Sequence, residues 1–212
     1  MPLLIKKNFA PNNKLGVWKI NEELEELMIQ AQPNELEKKH LEKIKVENGK
    51  KQWLVSRAIL KKLTGLYDLE IKYDPYGKPY LKDSKYKISI SHSHQYVAAI
   101  IDIHHTGIDI QIQDSKIERI VPRFMSLSEQ GSIKNENRLG QIYIYWCAKE
   151  ALYKLYGQRS LSFRENILIS PFDYNAEGGN IFGRISVSSF NRSYSLQYKK
   201  IENYTQVYVM NN

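Results

Sequence analysis

The strongest helical pattern in the chain is LGQIYIYWCAKEALYKLYG, residues 139–157. Apolar side chains recur through it at the three- and four-residue spacing of a helix, and Gly157 is a typical C-terminal stop. Trp146, Glu150 and Lys154 are i, i+4 neighbours, so we expect them on one face. A Glu four residues before a Lys is common on solvated helix surfaces, where the pair contributes about 0.3 kcal/mol. The same face could instead present a carboxylate to a metal ion and an ammonium to a phosphate.

A strand pattern precedes this helix at residues 107–112, GIDIQI. Side chains on a strand alternate between its two faces, so the isoleucines are expected to bury one face. Asp109 and Gln111 then point together to the other face. A carboxylate in this position suits Mg²⁺, which takes oxygen ligands, although an aspartate on an exposed sheet face is also common. The strand alone therefore does not identify a metal site.

Two shorter motifs offer groups that can hold a phosphate. Residues 90–94, ISHSH, place Ser91 and His92 at the end of a strand pattern, and residues 77–79, GKP, place Lys78 in a turn-rich loop. Hydroxyl, imidazole and ammonium groups all donate hydrogen bonds to phosphate. A solvated turn is the alternative interpretation of each motif.

The remaining sequence mixes helix and strand patterns. We expect a helical region over residues 36–63, with a break at Asn48-Gly49 and a stop at Gly65. Asn21 and Asn34 are candidate N-caps of the helices that follow them. Short strands are expected near the N-terminus and over residues 167–210. This order favours an α+β fold with antiparallel meanders over repeated βαβ units.

Composition limits the classes of protein that fit. The formal net charge of +8 favours polyanionic partners, and residues 34–63 contain nine Lys or Arg against four Glu, which could also be a solvated helix face. The single cysteine, Cys147, excludes an internal disulfide and a multi-cysteine zinc site. No stretch approaches the roughly 20 apolar residues of a membrane span, and the N-terminus has no secretory pattern. We therefore expect a cytoplasmic protein that does not enter a membrane.

The order of the motifs along the chain is more specific than any one of them. Gly-Lys-Pro at 77–79, Ile-Ser-His-Ser at 90–93, Gly-Ile-Asp-Ile at 107–110 and Trp-x-x-Lys-Glu-Ala-x-x-Lys at 146–154 follow one another. This series resembles the surfactin-type 4′-phosphopantetheinyl transferase family. Residues 123–129, RFMSLSE, also resemble the family's Arg-Phe…Ser…Glu segment, and Ser56-Arg57 matches it more weakly.

The resemblance implies a fold and an activity. The fold would be two similar α/β halves related by pseudo-twofold symmetry, with the active site at their interface. The halves would be residues 1–105, which contact the coenzyme A nucleotide, and residues 106–212, which carry the metal and the catalytic residues. The activity would be that of a holo-acyl-carrier-protein synthase, which transfers 4′-phosphopantetheine from coenzyme A to a serine of an apo acyl or peptidyl carrier protein. The family also implies Mg²⁺ dependence and a monomer.

The resemblance also assigns roles to individual residues. Asp109 and Glu150 would bind Mg²⁺, Lys154 would lie against the phosphates, and these three residues would form the catalytic set. Glu150 would also accept the proton of the carrier serine, directly or through a water. The residues implied to hold coenzyme A, besides Asp109 and Lys154, are Arg57 near the 3′-phosphate and Lys78, Pro79, Ser91 and His92 near the nucleotide end.

One position departs from the family pattern, and three alternatives stay open. The family usually has Asp-x-Glu where this chain has Asp109 and Gln111, so a third protein ligand to the metal is in doubt. A coenzyme A-binding relative without turnover is one alternative. A basic module that binds nucleic acid is another, although no recognisable binding motif is present and we expect no nucleic-acid partner. The last alternative is a zinc site built from residues such as His92, His94, His104 and His105.

Overall fold

The structure is a computed structural model that describes residues 3–10, 12–158, 161–188 and 190–210. The chain divides into two compact units. The first comprises Met1–Lys72 and Pro79–Ile103, and the second comprises Tyr73–Lys78 and His104–Asn212. The predicted α+β class is confirmed by this mixture of helices and sheets, whereas the pseudo-twofold relation stays a prediction.

The first unit is built on a four-stranded sheet in the order β1–β2–β6–β5. Its strands are β1 (Leu3–Ala10), β2 (Asn13–Lys19), β5 (Lys87–Ser93) and β6 (Tyr96–Asp102). Each neighbouring pair is antiparallel, as expected from the alternating patterns in the sequence. The inner strand β6 is buried along its whole length, and α3 packs against it. Two short strands, β3 (Ile71–Tyr73) and β4 (Pro79–Leu81), form a separate pair.

Three helices accompany this sheet: α1 (Leu24–Ala31), α2 (Glu35–Lys43) and α3 (Glu47–Thr64). The longest, α3, packs on β6 and β2 through a buried apolar face. The predicted cap at Asn34 and the predicted stop at Gly65 are confirmed. The predicted cap at Asn21 is wrong, because α1 begins after Glu23. The predicted break in the helical region is present, but it lies at residues 44–46 and not at Asn48-Gly49, which are in the first turn of α3.

The second unit is built on a five-stranded antiparallel sheet in the order β7–β11–β10–β9–β8. Its strands are β7 (Ile108–Ile112), β8 (Ile167–Ile169), β9 (Gly179–Val187), β10 (Phe190–Ile201) and β11 (Tyr204–Met210). The helix α6 (Arg138–Tyr156) lies across this sheet and contacts β7, β11 and β8. Its length and its left-handed end at Gly157 agree with the predicted helix.

Short helical segments connect β7 to α6. They are a 3₁₀ helix (Ser115–Ile120), α4 (Val121–Phe124) and α5 (Leu127–Gly131). Phe124 and Met125 pack into the same buried cluster as α6. Among the helices in the described ranges, none is both long enough and apolar enough to span a bilayer.

Candidate functional site

The close approach of α6 to β7 depends on Gly107. A Cβ atom at this position would lie 1.9 Å from the carbonyl oxygen of Ala151 and 3.0 Å from the backbone nitrogen of Leu155. No side chain fits where two backbones are this near, so glycine is required at the start of the strand. The carbonyl of Gly107 also accepts a hydrogen bond from the backbone N–H of Val209, which holds the strand end in the sheet. The helix α6 therefore lies directly against the first residue of the Gly-Ile-Asp-Ile motif.

Asp109 is buried beneath this helix. It occupies the middle of β7, opposite Val207 of β11, and only 1% of its surface is exposed. The Nζ atom of Lys154 lies 2.7 Å from the Oδ1 atom of Asp109 and also donates a 3.1 Å hydrogen bond to the carbonyl of Ile108. The sequence predicted that the isoleucines bury one face of the strand. In the structure the Asp109 face is covered as well, because α6 packs on it.

Glu150 lies on α6 one turn before Lys154 and is half-buried. The pKa of its carboxyl group is raised to about 7, first by burial and then by the nearby Asp109 carboxylate, while the Lys154 ammonium opposes both effects. The order of these causes shows that exclusion of water affects this acid more than any one charge. A carboxyl group with such a pKa exchanges its proton near neutral pH.

The donor set has the chemistry that Mg²⁺ requires, but it contains two carboxylates only. After burial, the charge of Asp109 is the second cause of the raised pKa of Glu150, so a divalent cation held by both carboxylates would relieve that repulsion. Within the described ranges, no group of three or more His, Cys, Asp or Glu side chains is placed to hold a metal. The histidines considered for a zinc site therefore do not form such a cluster. Gln111, opposite Thr205 on β11, is half-buried, and its role at the metal stays a prediction.

Lys78 contacts the C-terminal end of α6. Its Nζ atom donates a 2.7 Å hydrogen bond to the carbonyl of Leu155, and an ammonium group at a helix C-terminus interacts favourably with the helix dipole. The turn before it is held by the Asp74 carboxylate, which accepts hydrogen bonds from the backbone N–H groups of Tyr76 and Lys78. The predicted contact between Lys78 and a phosphate stays a prediction, and a phosphate would compete with this carbonyl.

Four further predicted coenzyme A residues lie in the first unit. Ser91 is buried on β5 and His92, next to it, is exposed, as alternation along the strand requires. Pro79 is half-buried at the start of β4. Arg57 is buried on α3, where its guanidinium lies 3.6 Å from the ring centre of Trp53 and donates a 2.8 Å hydrogen bond to the hydroxyl of Ser56. The predicted contacts of all four residues with coenzyme A stay predictions.

Two features of the site were missed from the sequence. One is that only glycine fits at position 107, because α6, which begins about thirty residues later in the chain, packs against this backbone. The second feature is a buried ion pair between Glu129 and Lys149, both of which lie in quoted motifs but had no role assigned. The spacing Ser126-x-x-Glu129 is a capping-box signal that could have marked Glu129 as structural, and the structure contains that box.

Comparisons with known proteins agree with the motif series. Residues 105–208, which include Asp109, Glu129, Glu150 and Lys154, match the family model described as "4'-phosphopantetheinyl transferase superfamily". A curated protein of Haemophilus influenzae, described as "Putative 4'-phosphopantetheinyl transferase", is 30% identical over 88 residues. The match covers 38% of this chain and 37% of that protein.

Proposed function

We propose, from the premise that residues 105–208 form a domain of the 4′-phosphopantetheinyl transferase superfamily, that this protein transfers 4′-phosphopantetheine from coenzyme A to a serine of an apo carrier protein. The observation that carries the proposal is the convergence of Asp109, Glu150 and Lys154 where α6 crosses β7. An acyl or peptidyl carrier protein is the proposed acceptor, as for a holo-acyl-carrier-protein synthase.

The proposed reaction is a phosphoryl-type transfer that needs positioning and charge neutralisation. The serine oxygen forms a bond to phosphorus, the diphosphate P–O bond breaks, and adenosine 3′,5′-bisphosphate leaves with the electron pair. The proton of the serine passes to the Glu150 carboxylate, directly or through a water, because a positioned carboxylate can accept the proton as the hydroxyl attacks. Lys154 donates to the Asp109 carboxylate and to the carbonyl of Ile108, and its third donor can turn to the diphosphate.

Asp109 and Glu150 are the residues proposed to hold Mg²⁺, which supplies charge neutralisation at the diphosphate when bound. The net positive charge of the protein suits both proposed substrates. Coenzyme A carries several phosphate charges, and the carrier proteins that this family modifies are typically acidic. The protein is proposed to act as a monomer in the cytoplasm, without a membrane or nucleic-acid partner.

The test is mass spectrometry of a panel of apo acyl and peptidyl carrier proteins incubated with coenzyme A and Mg²⁺. The parent protein should add one phosphopantetheine arm to the carrier serine, and Glu150→Gln and Asp109→Asn should not. Glu177→Gln is the matched control because Glu177 is an exposed glutamate of the same unit. If no carrier gains the arm but calorimetry shows coenzyme A binding, a binding protein without turnover is favoured. Salt-dependent binding of single strands that coenzyme A does not compete with would favour a nucleic-acid-binding module.

The proposed cofactor contacts are tested separately at His92. Because this side chain is exposed, His92→Ala should leave the fold intact. It should weaken coenzyme A binding by about 1–3 kcal/mol in calorimetry if the imidazole donates to a phosphate. His104→Ala, at another exposed histidine, is the control. Equal affinities of the two variants and the parent would place the nucleotide away from His92.

A further inference from the structure

Lys149 has its ammonium group fully satisfied inside the second unit. The side chain is completely buried. Its three donors reach the Oε2 atom of Glu129 at 2.8 Å, the carbonyl of Phe163 at 2.8 Å and the carbonyl of Ile167 at 2.5 Å. Burial lowers the pKa of this ammonium and Glu129 raises it. An ammonium that uses all three donors cannot rotate away from any of them without leaving a buried polar group unpaired.

The carboxylate of Glu129, the partner of Lys149, is also fixed by several hydrogen bonds. Its Oε1 atom accepts a 2.8 Å hydrogen bond from the backbone N–H of Ile169, and its Oε2 atom accepts one of 2.8 Å from the backbone N–H of Ser126. The Ser126 hydroxyl in turn accepts from the backbone N–H of Glu129, which closes the capping box of α5. The pair therefore joins α5, α6, β8 and the turn at residues 162–166.

The same pair holds Phe163 in place. The carbonyl of Phe163 is one of the acceptors of Lys149, and the turn that carries it is closed by a 2.8 Å hydrogen bond from the N–H of Asn166 to the carbonyl of Ser162. The ring of Phe163 contacts two aromatic rings of α6. Its centre lies 5.8 Å from that of Trp146 and 5.5 Å from that of Tyr153.

The helix geometry places these rings beside Glu150. At 3.6 residues per turn, Trp146 and Tyr153 point in nearly the same direction, with their directions only about 20° apart. Relative to Trp146, Lys149 points roughly 60° to one side, and Glu150 points roughly 40° to the other side. Lys154 points roughly 80° from Trp146 on the side of Glu150, toward Asp109. Glu150 therefore lies between the aromatic rings and the Asp109–Lys154 pair.

We propose that the Glu129–Lys149 pair and Phe163 are positioning residues for the Glu150 carboxylate. The pair fixes the backbone of Phe163 against α6, and the ring of Phe163 then completes an aromatic wall with Trp146 and Tyr153. This wall shields one side of Glu150 from water and leaves its other side facing Asp109. The consequence for catalysis rests on the proposed function, whereas the placement of the ring does not.

The placement is tested first without any assay of activity. In protein with labelled phenylalanine, nuclear Overhauser contacts should join the ring of Phe163 to the rings of Trp146 and Tyr153. They should be lost in Lys149→Met and weakened in Glu129→Gln, which keeps an acceptor for the N–H of Ile169. Hydrogen exchange in β10 and β11 checks that each variant remains folded. Contacts that persist in either folded variant at parental strength would overturn the proposal.

The catalytic consequence is tested with Phe163→Leu, which leaves the buried pair intact. The maximal rate of transfer should fall by about tenfold to a hundredfold, with the KM for coenzyme A within about twofold of the parent. Phe172→Leu is the control, since Phe172 is also half-buried but packs on Tyr145 and Tyr198. The double variant Phe163→Leu/Glu129→Gln should have nearly the same maximal rate as Phe163→Leu alone, if both substitutions act through the ring of Phe163. Equal rates for Phe163→Leu and Phe172→Leu would overturn the positioning role.

A parent protein that transfers to no carrier would instead refute the proposed function, and the ring contacts would still decide the placement.

Discussion

Replacement of Glu150 by glutamine tests the burial of this acid through the stability of the metal-free protein. Burial and Asp109 raise the pKa of Glu150 from 4.5 to about 7. Each unit of this shift corresponds to about 1.4 kcal/mol, so the ionised carboxylate destabilises the folded state by roughly 3–4 kcal/mol. Below pH 4.5 the carboxyl is protonated in both the folded and the unfolded states, and glutamine is then a close substitute. As the pH rises from 4.5 to 7, the unfolded state ionises before the folded state and the parent loses stability relative to the variant; above pH 7 the difference stays constant.

The assay is urea unfolding of the parent and of Glu150→Gln in the presence of a chelator. The two proteins should have similar free energies of unfolding near pH 4, and the variant should be more stable by roughly 3–4 kcal/mol near pH 8. Glu177→Gln, at an exposed position, should show no such dependence on pH. A difference between the parent and Glu150→Gln that stays constant with pH, or that favours the parent at high pH, would refute the argument that this carboxyl is buried beside a like charge.

Three further substitutions give separate measurements. Gly107→Ala would push a methyl group into the backbone of α6, so urea unfolding should show a loss of about 3 kcal/mol or more, whereas Gly131→Ala, which has open space, should change little. Lys149→Met should lower the free energy of unfolding by about 3–5 kcal/mol because it leaves a buried carboxylate unpaired. Lys134→Met, which removes a pair on the surface, should cost less than about 1 kcal/mol, and similar losses for the two lysines would contradict the role of burial. Gln111→Glu should lower the Mg²⁺ concentration that gives the half-maximal rate of transfer, and an activation curve identical to that of the parent would place Gln111 away from the metal.

Helix ends were predicted well where the end depends on a local group. Asn34 caps α2 through its own side chain, and Gly65 and Gly157 end their helices in the left-handed conformation that glycine adopts easily. The break expected at Asn48-Gly49 lies at residues 44–46 instead, and Gly49 is accommodated in the first turn of α3. A glycine inside a helix costs roughly 0.5–1 kcal/mol, which is less than the burial of the apolar face of α3 against the sheet contributes.

In the candidate site, too, some features could be predicted from the sequence and others could not. The positions of Asp109, Glu150 and Lys154 were taken from a resemblance in motif order, and the structure brings these three residues together. The burial of Asp109 could not be predicted, because an alternating strand pattern does not show which element covers its polar face. The same limit applies to Arg57, which the resemblance placed near the 3′-phosphate of coenzyme A and which lies buried against Trp53.

The sequence by itself determined which side chains share a face of α6 and of β7, because helix and strand periods follow from backbone geometry alone. It also determined the order of motifs that relates residues 105–208 to a transferase superfamily. Only the tertiary structure decided that α6 lies against Gly107, that Lys149 and Glu129 form a buried pair, and that the ring of Phe163 lies against Trp146 and Tyr153. The physical reason is that these contacts join segments far apart in the chain. Their energies depend on close packing and on the exclusion of water, which no local pattern encodes.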